Sequence, residues 1–134
     1  RLDAESIATV KTPCYHYILN PQSMTKSYDK DLKDIIFLPY ARIKEKCREI
    51  HTDLGTQPDY YLLYLANFLI RNETKSKNPG EGIQKLLANA DVRNAAKRID
   101  RSILPFHTKL FAFALKIRSK MLLRSYMTLL KTVV

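Results

Sequence analysis

The spacing of apolar residues from Asp31 onward limits the fold of this chain more than any other sequence feature. Over residues 31–51 they recur at steps of three to four residues, the period of an α-helix with one buried face. Leu, Ala, Lys and Arg are frequent in the long segments, and these side chains lose little rotamer freedom in a helix. We therefore expect a mainly α protein, a bundle of about five or six helices.

Proline and glycine divide this helical part into segments. Pro39 predicts a kink or a junction within the first helix, and Gly55 predicts its end. Pro58 suits the first turn of the next helix, whose residues are apolar almost all round, so this helix is expected to be the central one. A polar stretch over residues 71–82 then precedes one or two short helices over residues 82–99.

Residues 106–133 contain neither glycine nor proline, and Ser119 is the one residue that favours a break into two helices. If the helix is continuous, five cations share an arc of about 80° at 100° per residue. These cations are Lys109, Lys116, Lys120, Arg124 and Lys131. The apolar residues interleaved with them are Phe106, Phe113, Leu123 and Met127. This mixture is typical of a helix at an anionic membrane surface, and equally of a solvated face above a helical core.

The formal net charge of +10 is concentrated at the C-terminal end. Residues 91–134 contain ten Lys and Arg and two Asp, a charge of +8 that leaves +2 for residues 1–90. Such a field suits an anionic partner, which could be phospholipid, a lipid-linked pyrophosphate or nucleic acid. No helix-turn-helix pattern accompanies it, so nucleic acid is the less favoured partner. No apolar run is long enough to predict a transmembrane helix.

The N-terminal segment carries the β signal of the sequence. Residues 7–19 contain β-branched and aromatic residues interrupted by a Lys-Thr-Pro sequence, which predicts two short extended segments around a turn, like a β-hairpin. A polar loop follows. Cys14 and Cys47 are far apart and belong to no metal-binding spacing, and a reducing cytoplasm is the simpler setting for them.

Two segments resemble family 2 glycosyltransferases of bacteria. A paired-aromatic motif followed by a loop ending in Ser and Thr carries the first match, through Tyr15, His16, Tyr17, Asn20, Ser23 and Thr25. Ile18 stands where that family often has Arg. The second match is residues 109–131, which resemble the paired apolar and basic helices that close many transferases of capsule, lipopolysaccharide and exopolysaccharide biosynthesis.

The resemblance implies that this chain is the C-terminal region of an inverting transferase with an A-type fold. Residues 1–28 would end its catalytic α/β domain, and residues 29–134 would form a helical domain. A nucleotide-sugar-binding part, an Asp-x-Asp motif for Mg²⁺ or Mn²⁺ and an acidic general base are expected N-terminal to Arg1, so the chain alone should be inactive. Its partners would be its own catalytic domain and a lipid-linked or glycan acceptor at the cytoplasmic face of the cell membrane.

In such an enzyme the first matched segment would approach the donor or the acceptor. His16 and Tyr17 could face the metal or the diphosphate, or could pack on opposite sides of a short strand. Asn20, Ser23 and Thr25 could donate hydrogen bonds to a phosphate or sugar, or could simply form a turn. The alternative function is a small basic helical module that binds nucleic acid or protein, with self-association through an exposed apolar patch.

Overall fold

The computed structural model describes residues 27–133 of the chain. This part contains a single-turn helix and six helices of nine residues or more: α1 (Leu32–Ile35), α2 (Leu38–Glu49), α3 (Gln57–Glu73), α4 (Gly80–Ala88), α5 (Ala90–Arg98), α6 (Phe106–Lys116) and α7 (Lys120–Val133). The predicted mainly α fold is confirmed for these residues. The hairpin-like segment expected over residues 7–19 lies outside the described residues.

The predicted junction at Pro39 is confirmed, whereas the predicted role of Gly55 is wrong. Pro39 lies in the first turn of α2, where its missing N–H removes no helical hydrogen bond. The helix ends at Glu49, before Gly55, because His51 adopts a left-handed conformation with φ 49°. Hydrogen bonds from the N–H groups of the two residues after Ile50 to earlier carbonyls close this C-terminus. Gly55, with φ 58°, instead belongs to the following turn.

Helix α3 is the central helix, as its apolar residues predicted. It contacts α1, α2, α4, α5 and α7, and four of its side chains are fully buried: Leu62, Ala66, Leu69 and Ile70. Burial of an aliphatic side chain of this size stabilises the fold by about 1.5–3 kcal/mol, so α3 contributes most of the contacts that hold the bundle together.

Buried polar groups hold both ends of α3. At its start, the side chain of Asp59 is 5% exposed and accepts two hydrogen bonds from Arg98, at 2.8 Å from Nε and 2.6 Å from Nη2. At its end, the Asn72 amide bonds both backbone groups of Asp29, accepting from its N–H at 2.9 Å and donating to its carbonyl at 2.7 Å. The charged pair ties α3 to α5, and the amide ties α3 to the chain that enters the bundle.

Helices α4 and α5 are separate helices, one of the two arrangements that the sequence predicted. Asn89 leaves the helical conformation with ψ 111°, and its side chain accepts a hydrogen bond from the N–H of Val92 at 3.1 Å. This is an N-cap: it satisfies one of the N–H groups that have no partner at a helix start. A direction change therefore follows immediately after α4.

Helices α6 and α7 form an antiparallel hairpin, so the break predicted at Ser119 is confirmed. Arg118 adopts a left-handed conformation with φ 57°, and Ser119 Oγ accepts from the N–H of Leu122 at 3.2 Å as the N-cap of α7. The rings of Phe111 and Tyr126 stack with centroids 5.1 Å apart. Because these two residues lie at similar distances before and after the turn, the helices must run in opposite directions.

A carboxylate without a partner is buried where α3 meets α4. Glu73 is 1% exposed, and within the described part of the chain neither of its side-chain oxygens has a hydrogen-bond partner. Its carboxyl group fills the space beside Gly82 so closely that an added Cβ at Gly82 would lie 2.2 Å from Glu73 Cδ. Burial raises the pKa of Glu73, and the positive charge of Lys33 together with the nearby polar groups of Gly82 and Tyr28 only partly opposes that effect.

Replacing Glu73 with Gln should raise the free energy of unfolding at neutral pH by about 1 kcal/mol, because a buried charge without hydrogen bonds is removed. Since the pKa of Glu73 is higher in the folded than in the unfolded chain, stability falls as pH rises from 4.5 through the folded pKa. Urea unfolding between pH 4.5 and pH 7.5 should show this fall in the wild type and a flatter profile in E73Q. If the stability of E73Q falls with pH as steeply as that of the wild type, Glu73 is not the group that causes the fall.

Candidate functional site

The five loop residues predicted from the N-terminal match are His16, Tyr17, Asn20, Ser23 and Thr25. All of them lie outside the described residues, so their roles stay predictions. The five predicted cations of the C-terminal segment are all within the described part. They form the starting point of the site.

These cations do not lie along one continuous helix, so the arrangement predicted for an unbroken segment is wrong. Helix α6 carries Lys109 and Lys116, whereas α7 carries Lys120, Arg124 and Lys131. The left-handed residue between the helices reverses the chain direction and interrupts the helical phase on which that prediction depended. The two groups of cations are instead brought to one hairpin.

The outward side of α6 alternates aromatic rings with cations. Phe106, Lys109, Phe113 and Lys116 fall within an arc of about 80° at 100° per residue. Phe106 is 83% exposed and Phe113 is 42% exposed, whereas Phe111, on the opposite side, is fully buried in the core. The helix therefore has a packed inner side and an outer side that exposes both apolar and positively charged groups.

The turn of the hairpin continues this surface. Lys116, Arg118 and Lys120 are all exposed within five consecutive residues. Ile117 is 49% exposed and Met121 is 74% exposed, so apolar side chains stand between the cations. Together with Phe106, Lys109, Phe113 and Arg124, these residues define what we call the hairpin face.

Two apolar residues expected beside the cations belong to the core instead. Leu123 is fully buried and Met127 is 5% exposed. After the break, α7 turns its own apolar side toward the core and leaves Lys120, Arg124 and Lys131 outside, within an arc of about 40° at 100° per residue. The prediction that Leu123 and Met127 lie among the cations of the basic surface is therefore wrong, because both side chains are buried in the interior of the bundle.

The positive charge of the hairpin face is not neutralised within the described part of the chain. Residues 101–134 contain seven Lys and Arg and no Asp or Glu. The ion pairs of the described residues join Lys33 to Glu81, Lys44 to Asp91, Lys46 to Glu49, Lys85 to Asp34 and Arg98 to Asp59. All of these ion pairs lie before residue 101. Lys109 is near enough to Asp100 to help lower the pKa of that carboxyl group, whereas no ion pair within the described residues joins Lys116, Arg118, Lys120 or Arg124 to a carboxylate.

A shallow groove of about 500 Å³ adjoins the first turn of α6. Its lining combines two cations with three apolar side chains and a hydroxyl: Arg101, Ser102, Phe106, Lys109, Leu110 and Phe113. A guanidinium and an ammonium beside apolar walls suit a ligand with an anionic head and an apolar remainder.

Sequence reasoning missed Arg101 of the groove and three members of the hairpin face, Ile117, Arg118 and Met121. The signal that was available is the absence of acidic residues after Asp100, which marks every later cation as unneutralised by its sequence neighbours. Exposure of the apolar members could not be read from the sequence, because it depends on the position of the turn.

An Asp-x-Asp sequence occurs at Asp29–Asp31, and its geometry is that of a turn. Asp29 Oδ1 accepts a hydrogen bond from the N–H of Asp31 at 2.9 Å, while the backbone of Asp29 is held by Asn72. Across residues 27–133, no three His, Cys, Asp or Glu side chains form a group that could hold a metal ion. Asp29 stabilises the turn that leads into α1.

No helix in the described part of the chain is long and apolar enough to cross a membrane. Comparison of the chain with protein-family models, curated proteins and solved structures finds no match.

Proposed function

We propose that this chain is the C-terminal helical module of a glycosyltransferase that transfers a sugar from a nucleotide-sugar donor to a cell-surface glycan or lipid-linked acceptor. The observation that supports it best is the α6–α7 hairpin. Its two helices are apolar inward and basic outward, which is the character of the closing helix pair in the transferases that the chain resembles.

In this proposal the module positions the acceptor side of the enzyme and carries out no bond-making step itself. Transfer requires a carboxylate that deprotonates the acceptor hydroxyl and a divalent metal that stabilises the departing nucleoside diphosphate. The described residues gather no ligand set for that metal. The resemblance implies that both groups belong to sequence N-terminal to Arg1.

The proposal places the module at the cytoplasmic face of the cell membrane, where lipid-linked acceptors carry a pyrophosphate. The groove beside α6 offers Arg101 and Lys109 to such an anionic group and Phe106, Leu110 and Phe113 to an adjoining apolar chain. Cations at this position would raise the local concentration of the acceptor before transfer.

The test is to produce the protein of the complete reading frame that contains this chain and to incubate it with a panel of nucleotide sugars and Mn²⁺ or Mg²⁺. We expect metal-dependent release of nucleoside diphosphate, and none from residues 1–134 alone. Substitution of Arg101 and Lys109 by Gln should raise the KM for a lipid-pyrophosphate acceptor about tenfold while leaving slow donor hydrolysis unchanged. A full-length protein that turns over none of the donors would contradict the proposal.

A further inference from the structure

We propose that the hairpin face docks onto an anionic phospholipid bilayer, with Ile117 and Met121 entering the headgroup region and the neighbouring cations contacting lipid phosphates. This inference extends the proposed function by naming its membrane partner, but it rests on the side chains of the hairpin. It therefore stands or fails independently of sugar transfer.

The turn of the hairpin is strongly basic. Lys116, Arg118 and Lys120 surround the turn, and within residues 27–131 none of them forms an ion pair with a carboxylate. A basic cluster near an anionic leaflet gains attraction from each Lys or Arg, about fivefold in partition coefficient per residue. The cluster thus suits an anionic partner with closely spaced charges.

The exposed apolar side chains at the turn separate a bilayer from other anionic partners. Ile117 and Met121 are 49% and 74% exposed at the end of the hairpin. Aliphatic side chains gain free energy by entering the headgroup and acyl boundary of a bilayer. Ile117 and Met121 form no hydrogen bonds with bases and offer no ring on which a base could stack. Nucleic acid that stacked on the exposed rings of Phe106 or Phe113 would therefore still leave these two side chains in water.

The exposed residues of the turn are close together in the fold. Residues 116–121 are consecutive and form the end of an antiparallel hairpin, so the exposed side chains among them lie at one end of the helix pair. The inner sides of both helices remain packed in the core through Phe111 and Tyr126. Docking by this end therefore exposes no core residue and requires no unfolding.

The experiment measures sedimentation of the 134-residue chain with vesicles of equimolar phosphatidylglycerol and phosphatidylcholine, and with vesicles of phosphatidylcholine alone. We expect binding to the anionic vesicles that weakens as salt rises. The pair Lys116→Gln and Lys120→Gln should lower the partition coefficient about 20-fold, and the pair Ile117→Ser and Met121→Ser about tenfold. All four side chains lie at the surface, so circular dichroism should show an unchanged fold.

Matched controls separate the hairpin face from net charge and general apolar exposure. Lys77→Gln with Lys97→Gln removes the same charge from exposed positions elsewhere, and Ile35→Ser with Leu38→Ser changes side chains that are 50% and 52% exposed. Both control pairs should bind like the wild type.

Three results would overturn the inference. The first is that the chain binds phosphatidylcholine vesicles as well as anionic ones. The second is that Lys77→Gln with Lys97→Gln weakens binding as much as Lys116→Gln with Lys120→Gln. The third is that single-stranded DNA competes with the vesicles and binds equally well to the variant Ile117→Ser with Met121→Ser. Vesicle binding by this chain together with a full-length protein that transfers no sugar would keep the membrane surface and reject the proposed function.

Discussion

Replacing Arg98 with alanine should lower the free energy of unfolding by about 2–3 kcal/mol. The reason is the carboxylate that the change leaves behind: Asp59 is 5% exposed, and Arg98 donates both of its side-chain hydrogen bonds to it, at 2.8 Å and 2.6 Å. Water can reach the half-exposed guanidinium site, so the loss is at the lower end for a broken buried pair. Urea denaturation at neutral pH measures this loss.

A neighbouring cation supplies the control for this prediction. Lys97→Ala removes an exposed Lys one residue earlier in α5 and should change stability by less than about 0.5 kcal/mol. Arg98→Lys should recover only part of the loss, because an ammonium cannot make the paired contact of a guanidinium. The double variant Asp59→Ala with Arg98→Ala tests whether the two residues are coupled. If its loss in free energy of unfolding equals the sum of the losses in the two single variants, they are not coupled and the assigned role of the pair is wrong.

Replacing Gly82 with alanine should destabilise the protein by about 2 kcal/mol, although alanine is the better helix former. Gly82 lies in the first turn of α4, and its new Cβ would lie 2.2 Å from Glu73 Cδ and 2.6 Å from Glu73 Cγ. Glu73 is 1% exposed, so its side chain cannot move aside into solvent without disturbing the contact between α3 and α4.

Gly80 is the matched control, since it begins the same helix and an added Cβ there would meet no atom within 4 Å. Gly80→Ala should be neutral or stabilising by about 0.5 kcal/mol. In a Glu73→Ala background the cost of Gly82→Ala should disappear, because the colliding carboxyl group is gone. A Gly82→Ala protein as stable as the wild type would show that the Glu73 side chain can adopt another conformation that avoids the new Cβ.

Most of the helical architecture could be predicted from local signals. Pro39 and Pro58 are compatible with first helical turns and little else, and Ser119 is a helix-capping residue in a segment without other breaks. The end of α2 could not be predicted this way. His51 takes the left-handed position that a glycine usually occupies, and Gly55, the obvious signal, serves a later turn.

The candidate site was only partly predictable. The cations of residues 109–131 are visible in the sequence, but their arrangement depended on whether one helix or two carried them. Leu123 and Met127 shared the helical phase of the cations in an unbroken helix, yet the bundle buries them. Conversely, Ile117 and Met121 look like ordinary core residues in the sequence, and the turn leaves them exposed.

The helical period, the breaks at the prolines and at Ser119, and the concentration of positive charge after Asp100 follow from local sequence, because each of these depends on neighbouring residues alone. Packing of the helices against one another determines which apolar side chains face outward, that Arg98 meets a buried Asp59, and that Glu73 fills the space beside Gly82. Those features join residues from different helices, and such contacts form only when the bundle packs.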